Sequence, residues 1–225
     1  MTEETSLEFS EDWFNNNIPM WRAIIRETKP RRILEIGSYE GRSTCFMILE
    51  CSIYNSLDMF CIDSWQGGVE HAGTDFNEIE SRFDRNIAAA ISQAKNPVSI
   101  HKRKGLSSVE LSRMVVNHEG EFDLIYVDGS HEASDVFLDV AMAFKLCAVG
   151  GILIFDDYKA THKEEQRFDY PALAINSFLD THANKLVPLH FAVTDKNLVD
   201  SKYVDANGAI DPHILYQVYL KKIKN

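Results

Sequence analysis

Leu34-Glu35-Ile36-Gly37-Ser38-Tyr39-Glu40-Gly41-Arg42-Ser43 runs from an apolar stretch through two glycines into a segment that reads as a helix. An apolar strand that enters a glycine turn and leaves as a helix is the opening of a βαβ unit. In open α/β sheets, ligands bind outside the carboxyl ends of the strands, so this turn is a candidate binding loop. Gly37 lets the backbone approach a ligand closely, and Gly41 lets the following helix begin tightly against the turn.

Outward from this turn the chain alternates in the same way. Further apolar runs occupy residues 59–62, 98–101, 122–127 and 151–155, besides residues 32–36. They are apolar almost throughout, as strands of a parallel sheet covered on both faces are. Helical patterns fall between and after them at residues 43–51, 77–94, 107–116, 134–147 and 170–182. Ser134 is placed to cap the fourth, ahead of Val136, Phe137, Val140 and Phe144, and Gly150-Gly151 breaks the chain before the next strand. Residues 186–193 and 213–221 are strand-like with no long helix between them, which predicts an antiparallel pair at one sheet edge. The expected fold is therefore α/β, a doubly wound, mostly parallel, seven-stranded sheet with an antiparallel C-terminal edge pair. Trp13, Phe14, Ile18, Trp21 and Ile25 recur at spacings of three and four around Pro19, so residues 1–30 are expected to form a helical cap on a domain of residues 31–225. Such an aromatic stripe is core, a cover over the site or a dimer contact.

With 225 residues the chain builds one well-buried domain and is too short for two of full size. Its net charge of −11 opposes a nucleic-acid partner, because binding a phosphate backbone needs clustered positive charge. The one basic run, residues 101–104, falls at a strand end and is read as solvated. No apolar run reaches the roughly 18 to 20 residues that span a bilayer, and the acidic start lacks a signal peptide's pattern. A cytoplasmic protein without a membrane partner is expected. Cys45, Cys51, Cys61 and Cys147 form no Cys-x-x-Cys pair and are read as reduced core residues.

A dinucleotide site would want Gly-x-Gly-x-x-Gly, but Tyr39 holds the second glycine position and would obstruct a pyrophosphate. Glu-x-Gly-x-x-x-Gly instead resembles motif I of the class I, Rossmann-like, S-adenosylmethionine-dependent methyltransferases. The turn at 37–43, Asp63, Gly105-Leu106-Ser107-Ser108 and residues 122–131 follow in order, each at a predicted strand-to-helix turn. Together they resemble the motif series of the catechol O-methyltransferase-like enzymes, and most of all the macrocin O-methyltransferase-like branch with its Asp-Gly-Ser-His and Asp-Asp-Tyr. The likeness covers most of residues 30–160. It implies that Glu35, Gly37, Ser38, Tyr39, Gly41 and Ser43 surround the methionine part of S-adenosylmethionine, Ser43 binding its carboxylate. It places Asp63, followed by Ser64, on the ribose hydroxyls, Trp65 near the adenine, and Ser107 and Ser108 at the adenine edge. Read on their own, Ser43 and Ser107 are equally helix caps and Trp65 equally core.

Three carboxylates close the next two strands: Asp128, Asp156 and Asp157. Clustered without a cationic partner they would repel and raise one another's pKa, and a hard divalent cation relieves that. The resemblance implies that they hold a magnesium-type ion which also binds a substrate hydroxyl, with Asp128 serving both cofactor and catalysis. Catechol O-methyltransferase itself carries Asn where this chain has Asp157 and Lys where it has His131, so the present site is more anionic. His131 is a candidate base for the hydroxyl proton, a metal ligand or a structural hydrogen-bonding group. His71 and Glu70 lie in a glycine-rich loop, and residues 158–170 form a polar stretch that reads as a lid or a surface loop. The function expected is metal-assisted O-methylation of a hydroxylated small molecule, a sugar or natural product, by a chain that can also be a homo-oligomer. The alternatives are an NAD-type oxidoreductase on a similar sheet, a hydroxylase-like relative of the fold using its metal for oxygen chemistry, and a cofactor-binding module without catalysis. The retained carboxylates oppose the last, and one well-placed His falls short of the two that a hydroxylase's iron would want.

Overall fold

The structure, a computed structural model, describes residues 6–11, 13–67, 75–158, 171–189 and 217–225. Its strands are β1 (Arg32–Ile36), β2 (Leu57–Asp63), β3 (Val98–Lys104), β4 (Phe122–Val127), β5 (Cys147–Phe155), β6 (Leu186–Pro188) and β7 (Val218–Lys222). The helices are α1 (Ile18–Thr28), α2 (Arg42–Cys51), α3 (Phe76–Gln93), α4 (Ser107–Asn117), α5 (Ala133–Leu146) and α6 (Pro171–His182), with one 3-10 turn at Asn15–Asn17 before α1.

The sheet order is β3-β2-β1-β4-β5-β7-β6. β1 to β5 pair in parallel, while β7 runs antiparallel to both β5 and β6. The expected seven-stranded, mostly parallel sheet is thus present, with the antiparallel pair at one edge and the later strand on its inner side. The strand order reverses between β1 and β4, the switch point at which open α/β sheets leave a crevice for ligands.

Alternation along the strands divides the core. Ile33, Leu124, Tyr126 and Ile154 pack with Trp21, Ile24, Ile48 and Phe83 of α1, α2 and α3. Leu34, Ile36, Ile125, Val127 and Leu153 face Leu111, Val140, Phe144 and Phe178 of α4, α5 and α6. All four cysteines are free and buried, as their setting predicts.

Local chemistry sets the boundaries. Pro19 sits in the first turn of α1, where its missing N–H costs nothing, and Asp75 caps α3 by accepting from the backbone of Asn77 and Glu78. Two expectations are corrected here. Glu132, not Ser134, precedes α5, and its side chain makes no cap. Nor does Gly150-Gly151 separate helix from strand: β5 begins at Cys147, directly after α5, and residues 148–151 bulge out between the pairings Phe122 with Cys147 and Leu124 with Ile152. The orphan carbonyls at this junction are met by Lys222, whose buried ammonium donates to Phe144 at 2.9 Å and Cys147 at 2.8 Å. β6 and β7 are shorter than predicted, and residues 190–193 and 213–216 lie outside the described residues. The basic run 101–104 is part of β3, its charges met by Asp58, Glu80, Asp84 and Glu110. Among the described residues no helix is long and apolar enough to cross a membrane.

Candidate active site

The sheet's hydrogen-bond ladder continues one step past its strands and ties the turns together. Gly37 N–H donates to the Ile62 carbonyl at 2.9 Å, Gly105 to Asp63 at 2.9 Å, Asp128 to Ile36 at 2.8 Å and Asp156 to Val127 at 2.9 Å. Five turns that sequence singled out separately therefore form one continuous rim at the carboxyl ends of β1 to β5.

Gly37 has φ +86°, and a β-carbon there would stand 1.8 Å from the Asp128 carbonyl oxygen. The turn needs glycine because the backbone of the β4 loop lies against it, a reason distinct from ligand approach. Gly41, at φ +81°, precedes α2 where a β-carbon would press on Phe83 at 3.1 Å. Asp63 closes the turn from β2. Its Oδ2 accepts from the backbone N–H groups of Ser38 at 2.9 Å and Tyr39 at 2.8 Å, and its Oδ1 from Trp65 N–H at 2.6 Å. Tyr39 is thereby held at φ +44°, a conformation that a tyrosine rarely adopts.

Glu35, wholly buried in β1, accepts from three hydroxyls: Ser38 at 2.7 Å, Ser43 at 2.5 Å, and Thr44. Burial pushes its carboxyl up to about 7 against the opposing pull of those hydroxyls. Ser43 is thus bonded inward to Glu35, and Trp65 is buried against Phe83 with its indole N–H donated to the Tyr39 carbonyl at 2.9 Å. Ser64 accepts from Gln66 N–H at 3.2 Å. Ser107 opens α4, with Leu106 at the cap position, and Ser108 follows it.

At the ends of β4 and β5 the Tyr126 hydroxyl lies between two carboxylates, 2.9 Å from Asp128 Oδ2 and also bonded to Asp156 Oδ2. A phenol carries one proton, so both contacts are hydrogen bonds only if one carboxyl group holds a proton of its own. Accordingly, burial and then the charges of Asp156 and Asp157 hold Asp128 well above the usual carboxylate range, and burial and then Asp157 raise Asp156. Asp157, at φ +56°, turns its Oδ2 to within 2.8 Å of His131 Nε2. The expected trio is thus a pair bridged by Tyr126 plus an Asp157–His131 pair. Among the described residues no three acidic, His or Cys side chains stand grouped around a metal position. The donor chemistry nonetheless fits a hard cation: three carboxylates stand at one rim, and the charges of Asp156 and Asp157 help to raise Asp128.

A family described as a methyltransferase domain matches residues 34–158, more than half of the chain and the whole rim from Glu35 to Asp157. The chain belongs to this methyltransferase family. A curated relative, the O-methyltransferase hkm8 of Aspergillus hancockii, is 26% identical over 130 residues, covering 58% of this chain and 44% of that protein. An uncharacterized mimivirus protein, R132, is 24% identical over 163 residues, covering 71% of this chain and 65% of that one. An uncharacterized protein of Sinorhizobium fredii is 27% identical over 139 residues, only 14% of its own length. The chain thus spans less than two thirds of each of these relatives. In solved structures the fold recurs in the Streptomyces achromogenes O-methyltransferase TomG, in complex with S-adenosylmethionine, with TM-score 0.56 and 15% identity over 97% of this chain and 82% of that one. A Bacillus cereus O-methyltransferase in complex with S-adenosylhomocysteine gives TM-score 0.57 and 16% identity over 95% of this chain and 84% of that one.

Several parts of this site carry no signal in the sequence. Glu40, buried within the glycine turn, pairs with Arg82 of α3 and accepts from the Ser10 backbone at 2.7 Å and hydroxyl at 2.6 Å. Asn86 of α3 binds Glu8 through both its amide groups and donates to the Glu40 carbonyl at 2.9 Å. Tyr126 and Gln217 lie beneath the carboxylates, Gln217 donating to Asp156 Oδ2 at 2.6 Å. Of the aromatic stripe, Phe14 and Trp21 are buried against Tyr126, whereas Trp13 is 63% exposed beside Tyr39. His71, Glu70 and residues 159–170 lie outside the described residues.

Proposed function

We propose that the chain is an S-adenosylmethionine-dependent O-methyltransferase that acts, with a divalent cation, on a hydroxylated small molecule such as a sugar or natural product. One observation carries this reading: the glycine turn, Asp63, the Gly105 turn and the carboxylates of β4 and β5 form a single hydrogen-bonded rim at the sheet's switch point. The names of hkm8, TomG and the Bacillus cereus protein support O-methylation. The MycE methyltransferase of mycinamycin biosynthesis, solved in complex with Mg and S-adenosylhomocysteine, supports a metal. MycE shares 16% identity with TM-score 0.52, over 96% of this chain and 51% of that one.

When bound, S-adenosylmethionine supplies an electrophilic methyl group, and a divalent cation supplies charge that lowers the pKa of an acceptor hydroxyl. The chain's own contribution is placement. Glu35, Gly37, Ser38, Tyr39, Gly41 and Ser43 form the wall for the methionine part, Asp63 and Ser64 take the ribose, and Trp65, Ser107 and Ser108 border the adenine. Asp128, Asp156 and Asp157 hold the cation and orient the acceptor oxygen. His131, oriented by Asp157, receives the hydroxyl proton.

Calorimetric titration of the chain with S-adenosylhomocysteine and with NADH, each with and without magnesium, tests the reading. It predicts S-adenosylhomocysteine binding that is lost in Asp63→Ala, and no heat from NADH. Heat from NADH with none from the adenosyl ligand would sink the assignment and everything built on it.

A further inference from the structure

Gln217 sits where the active-site carboxylates meet the core, and its amide is fully engaged. The Trp21 indole N–H, which can only donate, lies 2.8 Å from Oε1, and the Tyr219 hydroxyl lies 2.6 Å from the same atom. An indole donor facing Oε1 settles the orientation of the amide, so Nε2 is the atom that faces the site. Its two hydrogens have two acceptors, Asp156 Oδ2 at 2.6 Å and the Tyr126 hydroxyl oxygen at 3.2 Å. The Tyr126 hydroxyl in turn bonds the Oδ2 atoms of Asp128 and Asp156, donating its one proton to one of them and accepting from the protonated other. The ring of Tyr126 cannot swing away, because Trp21 packs edge-on against it at 4.9 Å and 86°. Asp156 Oδ1 accepts the Asp157 backbone N–H at 2.8 Å. The interior thus takes Oδ2 of both carboxylates.

We infer that Gln217 is a positioning residue for the methyl-transfer centre: braced by Trp21 and Tyr219, it holds Asp156 directly and Asp128 through Tyr126, and so decides which carboxylate oxygens meet the acceptor and its cation. This rests on the function proposed above. Both donors of this amide are spent at the site, one on an active-site carboxylate and one on the tyrosine that bonds two of them. The N-terminal helix α1 thereby takes part in the site through Trp21, which fixes the direction of the amide.

The test uses the full chain, the variant Gln217→Met, which keeps the length but removes both donors, and Trp21→Phe, which keeps a ring but removes the indole donor. Calorimetry with S-adenosylhomocysteine reports on cofactor binding, the spin-resonance signal of free Mn2+ reports on the carboxylates, and infrared spectra of 13C-aspartate-labelled chain read their hydrogen bonding with no ligand present. Gln217→Met is expected to bind S-adenosylhomocysteine as the parent does, to bind Mn2+ about 10- to 100-fold more weakly, as loss of an orienting partner does, and to shift an aspartate carboxyl band. A folded Gln217→Met with parental Mn2+ affinity and superimposable carboxyl bands overturns the inference. If the parent binds S-adenosylhomocysteine but not Mn2+, the metal half of the proposed function fails and the carboxyl bands alone decide. Should Gln217→Met not fold, the same bands are read in Trp21→Phe, where unchanged bands overturn the inference.

Discussion

A β-carbon at Gly37 has the Asp128 carbonyl oxygen 1.8 Å away, and the +86° φ of the residue adds strain for any side chain. Gly37→Ala is therefore expected to cost about 3 kcal/mol or more, read as a lowered urea midpoint, and to abolish S-adenosylhomocysteine binding by parting β1 from the β4 loop. Glu35 gives a pH signature. Its folded pKa of about 7 lies above the unfolded carboxylate value, so the native state binds more protons between them. Its contribution to stability is whole below about pH 4.5 and is lost as pH rises through about 7, a change of about 3 kcal/mol. Unfolding titrations across that window are expected to show a shallower pH slope in Glu35→Gln than in the parent. Equal slopes would mean that Glu35 is ionised in the native protein.

Among the elements, the segment of residues 7–11 is tied down by α3 and the glycine turn rather than by strand pairing. Asn86 holds Glu8 and the Glu40 carbonyl through three hydrogen bonds, and Glu40 holds Ser10 through two. Asn86→Leu leaves those backbone groups without partners and is expected to cost about 1 to 3 kcal/mol. Limited proteolysis should then cut the variant before residue 13 faster than it cuts the parent there; equal rates at that place would show that the segment is held by other contacts. The strands and turns are legible in sequence because each rests on a local signal: a largely apolar run for β1 and β4, a glycine pair for the turn at 37–41. The α5–β5 junction is not, since a helix can pass straight into a strand when a lysine from β7 meets its last carbonyls, and nothing near residue 147 announces Lys222. Likewise Glu35 reads in sequence only as a wall for the cofactor, because its three hydroxyl partners lie within ten residues on a turn whose geometry only the fold supplies. Gln217 is unreadable for the same reason at greater range: apart from Tyr219, its partners stand at positions 21, 126 and 156.

For the whole molecule, two apolar layers enclose one sheet, and the four thiols are divided between them, Cys45, Cys51 and Cys61 on one side and Cys147 on the other. Burial pushes Cys45 and Cys147 up to about 12, so neither is a ready nucleophile. Labelling of all four by a thiol reagent is expected at one shared rate that follows global unfolding as urea is raised. Separate rates would reveal that the two layers open independently. Finally, β7 lies inside the sheet, between β5 and β6, although it comes after both in the chain. A ribosome that has made residues 1–200 has produced every parallel strand and every acidic residue of the rim, yet neither the strand that joins β6 to the rest nor the amide beneath Asp156. Order of synthesis thus acts as a timer, and until the last strand emerges the nascent chain exposes an open β5 edge for a chaperone to guard.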